Sequence, residues 1–90
     1  MLFMVIERFK NRDAVAVYRR VRDRGRSMTD RIQYVSSWVE TNWDRCFQLM
    51  EADDVRDFEP WIALWADLVE FEIVPVITSA EARERIAPKL

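Results

Sequence analysis

Ninety residues, half of them apolar and a third charged, point to one folded domain over residues 1–90 and exclude a disordered chain or a membrane-spanning one. The absence of histidine removes the commonest proton shuttle and the commonest metal and haem ligand, and a lone cysteine, Cys46, excludes an internal disulfide. The net charge of −2 is unevenly spread: residues 1–31 carry nine basic and four acidic side chains, residues 32–82 two basic and eleven acidic. The basic cluster Arg19, Arg20, Arg22, Arg24 and Arg26 lacks interleaved aromatics that would stack bases, and the acidic half would repel phosphate. It reads as a solvated helix face near the negative end of a helix dipole, with no nucleic-acid partner.

In chain order, residues 2–9 form an apolar run too short for a helix, hence a strand buried on both faces. No apolar run approaches the ~20 residues of a membrane span. Glu7 and Arg8 follow the opening apolar residues at once, unlike a leader. The expectation is a cytoplasmic protein without a membrane partner. Asn11 or Asp13 can cap a helix over about 13–24, whose Ala14, Val17, Tyr18 and Val21 make one apolar stripe. Gly25, the only glycine, sits where the chain leaving a helix needs positive φ.

Residues 31–40, rich in β-branched and aromatic types, predict a second strand, and residues 45–51 a third, joined by a hairpin through Thr41-Asn42-Trp43-Asp44. Trp43 either presents a ring at the loop tip or folds back onto the sheet. Asp53, Asp54 and Asp57 lack the spacing of a calcium loop and read as helix caps, with no metal site. Pro60 is tolerated only in a first turn, so the second helix starts near Glu59 and carries Trp61, Ile62 and Trp65 as packed core. Residues 69–78 give a fourth strand, confined to an edge by Pro75. Thr78-x-x-Glu81 opens a short C-terminal helix that Pro88 ends. The order β-α-β-β-α-β plus a terminal helix predicts an α+β, ferredoxin-like antiparallel sheet with both helices on one face.

The other face, roughly 400 Å² for four short strands, must meet water or another chain. Placing the purely apolar sets under the helices leaves Glu7, Tyr34, Ser36, Trp38, Gln48, Glu70 and Glu72 on this open face, among Phe3, Val5, Met50 and Val74. Such a mixture suits a homodimer interface or the lining of a cavity between two sheets.

The segments MLFMVIERF, SWVE, RCFQLME and LVEFEIVPVITSAEA resemble a small bacterial family known only as a domain of unknown function, over nearly the whole chain. That family is similar in architecture to the dimeric α/β-barrel superfamily, in which two ferredoxin-like subunits pack sheet against sheet. The superfamily includes cofactor-free quinone monooxygenases, haem-degrading enzymes, stress-induced barrel proteins and ligand-binding regulatory domains. The resemblance implies a homodimeric α/β barrel and assigns no catalytic residue. The haem-degrading members ligate iron through histidine, which this chain lacks.

Two functions from different classes follow. One is an interaction or small-ligand-binding module, a homodimer with a small apolar ligand lined by Tyr34, Ser36, Trp38, Gln48 and Glu70. The other is a cofactor-independent monooxygenase or isomerase acting on a small aromatic or apolar acid in an inter-sheet pocket. There Glu7 or Glu72 would be the base, if burial raises its pKa. No cofactor is called for in either. The plainer reading of Glu7 is an interface ion pair with an arginine, and that of Tyr34 and Trp38 is interface anchoring. Cys46, with no histidine to activate it, reads as a buried, inert thiol.

Overall fold

The computed structural model describes residues 1–90. The apolar run Leu2–Phe9 forms β1, followed by α1 (Ala14–Arg24), the hairpin β2 (Gln33–Val39) and β3 (Arg45–Glu51), then α2 (Glu59–Trp65), β4 (Val69–Val76) and α3 (Ser79–Ile86). The sheet order is β2-β3-β1-β4 with every neighbouring pair antiparallel. This is the ferredoxin-like α+β arrangement, with β4 and its Pro75 on an edge as the sequence requires.

Local signals set the boundaries. Asp13 caps α1, its Oδ1 accepting from the Ala16 N–H at 3.1 Å. Asp54 and Asp57 form a reciprocal capping box around a 3-10 turn, Val55–Phe58, that leads into α2. Their carboxylates are thus engaged by backbone, as helix-end residues should be.

Gly25 ends α1 at φ 68°, ψ −164°, a region beyond the left-handed helical one and adopted almost only by glycine. An added Cβ would meet no atom within 4 Å, so the restriction is conformational rather than steric. Gly25→Ala and Gly25→Val are therefore both expected to destabilise, by about 1–3 kcal/mol, in urea titration. A neutral effect from either would mean that the turn relaxes freely.

The face assignment differs from the sequence expectation. Phe3, Val5, Glu7 and Phe9 of β1, with Cys46, Gln48 and Met50 of β3, are the buried set and lie under the helices. They pack with Ala14 and Val17 of α1, Phe58, and Trp61 and Trp65 of α2. Glu7, Gln48, Phe3, Val5 and Met50 are therefore not on the open face. Tyr34 also lies on the helix side, opposite Met50, because a bulge between Tyr34 and Ser36 shifts the β2 alternation by one residue. The open face keeps Val74 but otherwise carries Leu2, Met4, Ile6, Phe47, Leu49 and Val76, all half-buried. Ser36, Trp38, Glu70 and Glu72 are on it as expected.

Candidate functional site

Glu7 and Gln48 are the two polar residues in the buried set, 7% and 5% exposed. The cause is β1 alternation: Phe3, Val5 and Phe9 anchor the strand to the helices and carry Glu7 inward with them. Beside Glu7 lies a cavity of about 80 Å³, room for two or three waters at ~30 Å³ each. Glu7, Cys46, Gln48 and Ser37 give it a polar side. Val17, Val39, Trp61 and Trp65 give it an apolar one.

Arg26 closes the rim. Its guanidinium donates to Gln48 Oε1 at 3.2 Å and stacks 4.1 Å above the Tyr34 ring, whose hydroxyl is 2.7 Å from Ser37 Oγ. The backbone at Arg26 is fixed as well, since the indole N–H groups of Trp61 and Trp65 both donate to its carbonyl, at 3.1 and 3.2 Å. Tyr18, 41% exposed, covers the cavity from α1 with edge-on ring contacts to Phe9 and Trp43. Trp43, at the hairpin tip with φ 62°, is 58% exposed and leans edge-on against Tyr18 of α1.

Glu7 makes no ion pair. The interface pairing with an arginine is thus replaced by a carboxyl held near, but not against, Arg26. Burial raises its pKa above the ordinary 4.5, while the Gln48 amide, the Cys46 thiol and the Arg26 charge pull it partway back. The Cys46 thiol is pushed up to about 12 by burial and by the neighbouring Glu7 charge. That thiol stays protonated near neutral pH, so it is a weak donor to Glu7 and no nucleophile.

The sign of the linkage is fixed by these directions. A carboxyl whose folded pKa is raised binds its proton more tightly in the native state. Stability is then full below the unfolded value and declines as pH rises from 4.5 through the folded pKa. Asp67 works the other way: the Arg20 guanidinium, bonded at 2.6 and 2.7 Å, holds it down to about 2. That contribution disappears only as pH falls from 3.8 toward 2. Glu7→Gln is expected to raise the urea midpoint at neutral pH and flatten its decline above pH 4.5. An unchanged pH profile would mean that Glu7 is solvated.

Of the other sequence-selected residues, Gln48 and Tyr34 join Glu7 here, Gln48 beside it and Tyr34 through Arg26. Glu72, Glu70, Ser36 and Trp38 are on the opposite side of the sheet, Glu72 opposite Ile6 and Glu70 opposite Arg8 in register. Glu72 and Glu7 share no pocket. Tyr18 and Arg26 carried only the signals of a packed helix stripe and a solvated basic cluster, and Ser37 carried none, although Arg26 follows the one glycine, where the chain must turn back. No group of three or more histidine, cysteine, aspartate or glutamate side chains is arranged to hold a metal, and no helix is long and apolar enough to cross a membrane.

The profile of a family described as "Domain of unknown function (DUF3303)" matches residues 1–90, and the chain belongs to that family. No curated protein and no solved structure matches it.

Proposed function

We propose that this member of the DUF3303 family is a homodimeric small-ligand-binding module in which each subunit holds its ligand between sheet and helices, at Glu7. The observation that carries the reading is the unpaired, buried Glu7 carboxyl bordering a cavity with a cation at its rim. A buried charge without an ion pair costs stability, and such groups cluster where a ligand is met. The ligand that suits this cavity is small and mostly apolar, with a hydroxyl or similar donor for Glu7 and an acceptor within reach of Arg26. A ring-sized ligand would require Tyr18, held only by edge contacts, to swing outward.

The open face supports the dimer. Its centre is apolar (Met4, Ile6, Phe47, Leu49), and Trp38, opposite Phe47, is 55% exposed. A patch of this size and character is a common mark of a contact surface. A two-fold pairing buries it with no additional sequence. The apolar centre favours a dry interface over an inter-sheet pocket.

Native mass spectrometry of freshly purified protein tests the ligand. A small molecule bound once per subunit in the wild type, and lost in Glu7→Gln, is expected. Equal retention by Glu7→Gln would refute the assignment. The position of the buried Glu7 carboxyl beside the cavity also favours a second reading, a cofactor-independent oxygenase or isomerase using Glu7 as base. Turnover of the identified ligand, abolished by Glu7→Gln, separates catalysis from binding.

A further inference from the structure

The C-terminal arm is folded but covers nothing. In α3 the Thr78 hydroxyl caps the Glu81 N–H at 3.1 Å, and Arg85 pairs with Glu81 at 3.4 Å. Residues 77–90 are nevertheless exposed throughout, including Ile77, Ile86 and Leu90. Eight residues are too few for a helix to persist alone in water, where about 12–15 are marginal. The arm also stretches the molecule to 48 × 30 × 17 Å with a radius of gyration of 14.9 Å, against about 12 Å for a compact chain of this length.

We infer that α3 is an arm that packs on a second copy of this chain, clasping the sheet-to-sheet dimer. The inference rests on the dimer reading above. A crevice of about 770 Å³ separates the arm from the strand ends, with Leu2 and Val76 among its lining and Ala80 and Glu84 across from them. Leu2 and Val76 are paired in register and belong to the open face, so a copy seated on that face also reaches the crevice.

Area and charge argue for the same occupant. Two open faces of roughly 400 Å² together bury about 800 Å², less than the 1,200–2,000 Å² typical of stable interfaces. Two arms lying on the partner supply the deficit. On the arm Arg83, Glu84 and Lys89 have no ion-pair partner, a net positive set, and Glu51, Glu70 and Glu72 have none on the open face. A second copy offers each set the opposite charge.

Ile86→Glu provides the test, because Ile86 is 51% exposed and the change leaves an isolated subunit intact. Sedimentation velocity over a dilution series, with amide hydrogen exchange of residues 82–87, gives the readouts. The wild type is expected to dimerise with these amides protected, and to lose the protection on dilution to monomer. Ile86→Glu should raise the dissociation constant about tenfold or more and abolish the protection, while Ile86→Leu keeps both. A dimer with unprotected arm amides, or Ile86→Glu dimerising like wild type, would overturn the arm and leave the sheet dimer standing. A wild type monomeric at every concentration would overturn both.

Discussion

Trp61→Ala is expected to cost about 3–5 kcal/mol, a large share of the ~5–15 kcal/mol that holds a domain of this kind together. Trp61 is 2% exposed, packs edge-on against Phe58 and Phe71 with centroids 6.4 and 5.2 Å away, and donates to the Arg26 carbonyl. Its removal leaves a void continuous with the Glu7 cavity and loosens the loop that carries Arg26. Urea unfolding followed by circular dichroism measures the loss. Trp61→Phe retains much of the volume and loses the hydrogen bond, so it should cost less, about 1–2 kcal/mol. A Trp61→Ala variant within 1 kcal/mol of wild type would mean that the core collapses around the gap, contrary to the packing described.

Trp38→Glu acts on the other side of the sheet. Trp38 is 55% exposed in the subunit, so the fold has little to lose. In the proposed dimer the substitution would put a charge on the contact face beside Phe47. Aromatic anchors contribute about 2 kcal/mol or more to an interface, so the dissociation constant should rise roughly thirtyfold or more. Sedimentation equilibrium reads this directly. Wild-type affinity in Trp38→Glu would exclude the open face as the interface.

Element order was legible because the signals were local: Asp13 and Gly25 at the ends of α1, Pro60 at the start of α2, and Pro75 confining β4 to an edge. Facing was not legible. The two alternating sets of β1 are Leu2, Met4, Ile6 and Phe3, Val5, Glu7, Phe9, and both are mainly apolar. The rule that sends the purely apolar set inward chose the wrong one. The set containing Glu7 wins because its two phenylalanines fill the volume under α1 and α2, and the protein accepts a buried carboxyl as the consequence. The β2 bulge adds a second failure, since an extra residue at position 35 puts Tyr34 and Trp38 on opposite faces despite their even spacing. Glu7 and Gln48 were both among the residues selected from the sequence, but on the open face; being on adjacent central strands, they move together to the helix side. Their partners Arg26 and Tyr18 come from α1 and the turn after it, and only tertiary packing brings them together.

The proposed ligand site lies on the helix side of the sheet. The four tryptophans report on it separately, Trp61 and Trp65 lining the cavity, Trp38 on the open face and Trp43 at the hairpin tip. A library of small hydroxyl-bearing apolar compounds, titrated into isotope-labelled protein, will shift the four indole N–H resonances selectively. The Trp61 and Trp65 signals are expected to move together with the Gln48 side-chain amide, and Glu7→Gln to abolish the movement. Shifts confined to Trp38 or Trp43, or unaffected by Glu7→Gln, would contradict that placement.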